Sequence, residues 1–453
     1  MTADAASRLL SHALATEWSA MSPTTQEAAK TFLHDSIAVG VAGRSAPRAE
    51  AALAAARGWV GEGGACMVLG RPGLRLSAPY AAFLNAFQIH AQEYDCVHEP
   101  AVAHPMASVG AVLLAEAGRG APIAGSDFLA AMVAGVDVVA TLGVAVKGPL
   151  KFFRPATAGI FGSVAAIARL RRLDLDTARH AYGYALAFAS GTMQAHVEGT
   201  PALAVQVAAA ARSAIEAVDL ACAGFTGPMG SIDGPFGYLS LFEDDVALEP
   251  ALAALGRVRR IEEVSWKPFP TGRAAHGAIV ALQQLMAEGL RPNMLDRLVY
   301  RAPPLIARLV GRRPLAGMSV AYARLCFAWL GAIVLTRGGI ALEHFTPERL
   351  ADPELLRLAE RISVEADDNP DLAAFVPARA VATLADGTRL EAAVTRQFGS
   401  PEWPLSREEH LAKADACLAF GGLPHAGAAL AEIIERFDVI GDVAGALADV
   451  LER

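Results

Sequence analysis

The chain has 453 residues, 53% of them hydrophobic and 19% charged, and 39 basic against 47 acidic side chains leave a net charge of −8. That length suits two domains and that apolar content excludes a disordered chain. An acidic balance without Lys/Arg clusters argues against a nucleic-acid partner, since phosphate binding needs concentrated positive charge.

The first twenty residues carry Asp4, Arg8 and Glu17 rather than a basic stretch followed by an apolar one, so no secretory leader is expected. Pro23 to Glu27 opens a helix with polar first-turn residues, after which Phe32, Leu33, Ile37 and Val41 recur at helical spacing. Residues 128–146 are apolar except for Asp137 and Thr141 and approach the length of a membrane span. Their Ala/Gly/Val content, and Lys147 and Lys151 directly after, favour a buried core helix with Ser126 as its N-cap. Asp174 or Asp176 caps the helix running through Tyr184. Alanines and glycines repeat along residues 158–168 and 204–217; such small residues let helix axes approach closely, which predicts helix-on-helix packing. The pattern changes near Trp266. Residues 298–300, 362–365 and 380–384 read as short strands, and Asp386-Gly387 is a hairpin turn into 390–394. Helical runs at 276–288, 320–333 and 353–359 separate them. Ser406 with Glu409 three residues on forms a capping box, and the tail is helical again. The fold predicted is therefore mainly α. A large all-helical domain is built from both chain ends (1–265 and 402–453), and a smaller α+β lid domain spans 266–401. Five scattered cysteines (Cys66, Cys96, Cys222, Cys326 and Cys417) form no CxxC. Neither a disulfide framework nor a zinc site is expected, and a reducing cytoplasm fits.

The densest polar constellation runs from His90 to Pro105 and holds His90, Glu93, Asp95, His98, Glu99 and His104. Carboxylates beside imidazoles let one group accept a proton near neutral pH while another donates. Metal ligation by His90, Asp95 and His98 is a competing reading, weakened by the lack of an HExxH order or a cysteine cluster. A solvated capping loop is the bland one. Lys147 to Gly162 is a basic turn leading into a helix, where Arg154 beside free N–H groups suits a carboxylate. A third polar stretch, Gly191 to Pro201, contains His196. In the fourth, Lys267 and Arg273 flank a rigid Pro-Phe-Pro turn at the domain junction, where cations could clamp an anion. Ligand sites favour such junctions.

These residues resemble the MmgE/PrpD family. The sharpest matches are the block from Asn85 to Pro105, Phe153-Arg-Pro-Ala-Thr157-Ala-Gly-Ile-Phe-Gly162, residues 226–242, and Lys267-Pro-Phe-Pro. The resemblance covers nearly the whole chain. It implies a helical domain with a smaller lid, a homodimer, and cofactor-free, metal-free lyase or isomerase chemistry on a small di- or tricarboxylate. The reactions implied are of the 2-methylcitrate dehydratase, cis-aconitate decarboxylase or iminodisuccinate epimerase kind. By position, the family's acidic residue falls on Glu93, with Asp95 two residues later. The histidine of its His-Pro pair falls on His104, and its basic residue after the Pro-rich hinge on Lys267. The chain departs from the pattern at Val97, Arg154, Ala195, Glu198 and Trp329, where the family has Thr, His, Lys, His and Tyr.

The mechanism expected from this resemblance is proton abstraction α to a carboxylate, through a carbanion-like intermediate that needs nearby cations. His104 is then the principal acid/base and His98 a second one. Glu93 and Asp95 orient imidazoles or relay protons, while Arg154, Lys267, Arg273 and His196 hold carboxylates. The lost lysine and tyrosine motivate one rival, a catalytically silent dimer that binds a carboxylate. Neither nucleic acid nor membrane is expected as a partner.

Overall fold

Ser22 accepts the Thr25 amide and Pro23 fills the first helical position, so a helix starts there and runs Pro23–Ala42. The computed structural model describes residues 4–60 and 63–452. Helix accounts for 57% of it and strand for 9%, a mainly α fold with a smaller α+β part. Asp174 caps Leu175–Phe188 through the Thr177 amide, and Ser406 with Glu409 forms the capping box that starts Arg407–Phe420. The long apolar helix is Gly125–Val144. Its N-cap is Ala124 without a side-chain bond, so Ser126 lies inside the first turn instead of capping it.

Small residues set the spacing of the helices, as their repetition along the sequence implied. Gly162 of Gly159–Leu170 lies against Gly135 and Val139 of Gly125–Val144, and a Cβ there would collide with both. Gly43, after the Pro23–Ala42 helix, lies on the backbone of Gln88 in the Ala78–Ala91 helix, again without room for a methyl group. Gly125–Val144 is long and apolar enough to cross a bilayer, but 89% of its most apolar window is buried in protein. Of its two acidic side chains, Asp127 lies in the first turn and Asp137 is satisfied inside the core. Asp137 Oδ2 lies 2.9 Å from His12 Nε2 and accepts from Arg259 Nη1 at 3.1 Å, while Oδ1 accepts the Arg260 amide at 2.8 Å. A paired carboxylate of this kind belongs in a core, not in hydrocarbon.

A four-stranded sheet forms in the second half, in the order Ile362–Ala366, Leu295–Ala302, Ala378–Leu384, Arg389–Val394. The first pair is parallel and the other two antiparallel. The Asp386-Gly387 turn joins the last two strands, with Gly387 at φ 87° and Asp386 accepting the Thr388 amide. The His276–Ala287 and Phe327–Arg337 helices cover the sheet. The helical run expected over 320–333 is broken: Val320–Ala323 ends and Phe327–Arg337 starts afresh from Cys326. A short ladder of Cys66–Met67 with Arg75–Leu76, absent from the sequence reading, interrupts the helical half.

The apolar interior falls into two clusters. One combines residues between Ala5 and Val264 with Ala414 to Leu451, joined by Leu325 and Leu342. The other spans Ala274 to Val394. Arg407–Phe420 packs on Pro23–Ala42. Buried Lys413 donates to Asp35 Oδ1 at 2.6 Å and to the Tyr94 carbonyl at 3.0 Å, and His34 Nδ1 lies 2.8 Å from His410 Nε2. The returning helix thereby grips the loop that carries the polar constellation.

Candidate active site

His90 sits in the last turn of Ala78–Ala91. That helix is held in place by Gln88, whose Nε2 donates to the carbonyls of Gly40 and Leu69. Glu93 follows at φ 49°, a left-handed residue that ends the helical path. The chain then doubles back through two antiparallel bridges, Val97 with Ser265 and His98 with Ala103. His104 ends the excursion as the N-cap of Pro105–Ala117, where Pro105 supplies a preset first turn. The two imidazoles meet edge to face, with ring centroids 4.8 Å apart.

Between them lies Asp95, wholly buried. Its Oδ2 accepts from His90 Nδ1 and from His104 Nδ1, each at 3.0 Å. Both rings therefore carry their proton on Nδ1 when neutral, and both Nε2 atoms are left for other work. Buried Lys267 closes the group from the Pro-Phe-Pro turn, with Nζ 2.8 Å from Glu93 Oε2 and 3.7 Å from Asp95 Oδ1. Burial pushes the Asp95 carboxyl up, but the two imidazoles and the Lys267 ammonium outweigh it and hold Asp95 well below the usual carboxylate range. Burial acts the same way on Glu93, and Lys267 beside it wins, bringing it down to about 2. The two histidines diverge. Burial alone would lower both; Asp95, reinforced by Glu93, raises His90 above its ordinary value. His104 ends below its ordinary value, because Lys267 and His90 add to its desolvation and Asp95 does not compensate.

His90, Glu93 and His104 line a cavity of about 70 Å³, whose far walls come from the second half of the chain. His196 faces the same space. Burial and the neighbouring Arg312 bring its imidazole down to about 4, and Arg312 Nη2 donates to its backbone carbonyl at 2.9 Å. A wider cleft of about 530 Å³ adjoins this cavity at Val102, Leu150 and Phe375. A third space of about 220 Å³ reaches His90 and Glu93 from the opposite side, past Arg324.

The structure gathers His104, Glu93, Asp95 and Lys267 in one place, sets His196 on the same cavity, and engages His98, Arg154 and Arg273 in internal pairs. His98 is not part of the group. Its Nδ1 accepts the Ala101 amide at 3.1 Å and its Nε2 donates to Glu263 at 2.8 Å, so it ties the loop shut. Arg154 is spent on an internal pair: Nε and Nη2 donate to the two oxygens of Glu243 at 2.8 and 3.0 Å, and Nη1 to the Ala101 carbonyl at 2.8 Å. Arg273 borders the cavity, but Nε donates to Glu99 at 2.8 Å and Nη1 to the carbonyls of Trp266 and Phe398. It secures the hinge after Lys267. His90 takes the place that sequence reading gave to His98. The available signal was its position at a helix end three residues before Glu93. Arg324 was not singled out at all.

His90, Asp95 and His104 offer three ligand atoms within 4.8 Å of one another and could hold a divalent cation. The set differs from the one the sequence suggested, with His104 in place of His98. Lys267 already supplies a positive charge to both carboxylates at this spot, so a cation would enter against like charge.

Residues 7–251 match the MmgE/PrpD N-terminal domain and residues 269–438 the MmgE/PrpD C-terminal domain. The chain is 28% identical over 357 residues to a cis-aconitate decarboxylase of Homo sapiens, covering 76% of this chain and 73% of that protein. It is 28% identical over 362 residues to a cis-aconitate decarboxylase of Mus musculus, covering 76% and 72%. It is 29% identical over 399 residues to a cis-aconitate decarboxylase-like protein, oryM, of Aspergillus oryzae, covering 82% of each.

Proposed function

Because the chain belongs to the MmgE/PrpD family, we propose that it is a lyase of the decarboxylase or dehydratase kind. Its substrate is a small carboxylic acid, and it works by moving a proton at a carbon next to a carboxylate. The observation that carries this reading is the pair of imidazoles hung from one oxygen of Asp95. Two titratable groups whose surroundings push them in opposite directions from the ordinary imidazole value make an acid and a base. His104, neutral and with Nε2 free, takes the proton. His90, which holds its proton more tightly, faces the same cavity and in an elimination gives a proton to the departing hydroxide; in a decarboxylation no C–H proton is removed, and the imidazolium protonates the carbon that CO₂ has left. Asp95 fixes both tautomers and stabilises whichever ring is charged. Lys267 keeps Glu93 and Asp95 ionised, so neither carboxylate competes for the proton. His90 and Lys267 together supply positive potential for the carbanion-like intermediate. The relatives' names make cis-aconitate the first compound to assay. A homodimer, implied by the resemblance, belongs to the same reading, and sedimentation would test it.

The deciding experiment follows solvent deuterium into the C–H positions of a panel of di- and tricarboxylates by NMR. Exchange that falls by about two to four decades in His104→Ala supports the reading. Binding without exchange at any C–H would refute it.

A further inference from the structure

The cations expected to receive substrate carboxylates are already neutralised inside the fold, Arg154 by Glu243, Lys267 by Glu93 and Arg273 by Glu99. Arg324 is not. Its guanidinium is buried, its Nη groups rest on the backbone and side-chain oxygens of Gln92, and its Nε has no partner. Among the described residues no carboxylate lies within ion-pair distance of it. Desolvation pulls it down to about 9, so it is still charged at neutral pH. It lines the 220 Å³ space together with Thr200, Ser319 and exposed Arg48. A buried cation without a counter-charge is costly, and an anion that arrives relieves the cost.

The 70 Å³ chamber on the other side of His90 and Glu93 has the opposite character. Phe153, Met193, Leu203, Leu309, Val310 and Leu325 are among the apolar residues of its wall. His196 is neutral there, and the two side chains of its wall that carry positive charge, His90 and Arg273, are turned to Asp95 and Glu99. A carboxylate placed in that chamber would lose its hydration and meet no free positive charge. A hydrocarbon group would gain about fourfold in affinity for each methylene buried. The two spaces share His90, Glu93 and Leu203 as lining, so a ligand that spans both would carry its reacting carbon past the imidazoles.

We infer that the substrate of this site is an acid with its carboxylate charge at one end, held on the Arg324 side, and a short hydrocarbon arm in the chamber walled by Phe153, Met193 and Leu309. This rests on the carboxylic-acid lyase reading above and narrows its substrate. An acid with a carboxylate on every arm, such as cis-aconitate, leaves one charge unmet in the chamber.

Two unreactive, nearly isosteric ligands test it. Tricarballylate is 2-(carboxymethyl)succinate, and 2-isobutylsuccinate replaces its third carboxylate by an isopropyl group. Calorimetry on the full-length protein should find 2-isobutylsuccinate at least tenfold tighter. Met193→Lys should shrink or invert that ratio, and Arg324→Gln should weaken both ligands about equally. Tricarballylate binding as tightly or more tightly, or neither ligand binding at millimolar concentration, overturns the inference. So does unchanged affinity in Arg324→Gln. The two readings fail separately. His104-dependent exchange with tricarballylate the tighter ligand sinks the hydrocarbon arm alone. Tight 2-isobutylsuccinate with no exchange in any acid sinks the proton transfer alone.

Discussion

Replacing Asp95 by Asn probes the centre of the site with almost no change in shape. When His104 accepts a proton, its new charge lies one hydrogen bond, 3.0 Å, from Asp95 Oδ2. At an effective dielectric of about 20 that charge pair is worth about 5 kcal/mol. If half to most of the charge has developed in the transition state, losing it costs about 3–5 kcal/mol, or two to four decades in rate. The amide has a second effect. Its NH₂ group either faces Lys267 in place of Oδ1 or turns toward an imidazole Nδ1, which forces that ring into the wrong tautomer. Lys267 would then be balanced by Glu93 alone, and the apparent pKa of the base should fall further. The assay is deuterium exchange into substrate measured over pH 5–9, with thermal unfolding as a control for folding. A variant that unfolds normally and keeps its rate within tenfold, with an unshifted pH profile, would refute the claim that Asp95 couples the two imidazoles.

The opposed shifts of the two histidines predict a bell-shaped kcat/KM profile with its plateau across pH 6.5. The rate should fall as acid protonates His104, below its ordinary value, and fall again as base discharges His90, above its ordinary value; a profile flat from pH 5 to 9 contradicts the assignment. Glu93, lowered to about 2, contributes stability that is complete above its unfolded value near 4.5 and is lost as pH drops toward 2, so Glu93→Gln should reduce the acid sensitivity of unfolding in that window. His98→Ala should leave exchange within a few-fold of wild type while costing about 1–3 kcal/mol of stability, read by denaturant titration. Arg154→Met leaves Glu243 buried without its partner and should destabilise by about 3–5 kcal/mol, whereas the double variant with Glu243→Leu should recover much of that loss.

The mainly α architecture was legible because it is written locally. Asp174 and Ser406 are caps three residues from the amides they satisfy, and the Asp386-Gly387 turn needs only its own backbone. The acid–imidazole loop was legible as a composition. Its internal geometry was not. Residues paired across an antiparallel bridge point alternately to opposite faces. Val97 therefore turns into the cavity and the adjacent His98 turns out toward Glu263, a distinction that rests on bridges to Ser265 and Ala103 and cannot be seen in a string of histidines. Arg154 reads as a free carboxylate holder until Glu243, 89 residues downstream, folds onto it. Arg324 sits where an expected helix breaks in two, and its importance comes from what it lacks, which only packing reveals. Ser126 failed as a cap for a smaller reason: the helix begins one turn position earlier, at Gly125.

The grip of the Arg407–Phe420 helix on the Pro23–Ala42 helix has a consequence for synthesis on the ribosome. His34 and His410 are separated by 376 residues. At elongation rates of about 5–20 residues per second, the early helix waits about 20–75 s for its partner. Throughout that interval Asp35 lacks Lys413, and the segment bearing Tyr94 and Asp95 lacks the lysine that anchors its carbonyl. The nascent chain must carry an unfinished acid–imidazole loop until the Arg407–Phe420 helix emerges, which makes that stretch the step at which a folding helper or a quality-control protease would have most influence over how much folded protein a cell obtains.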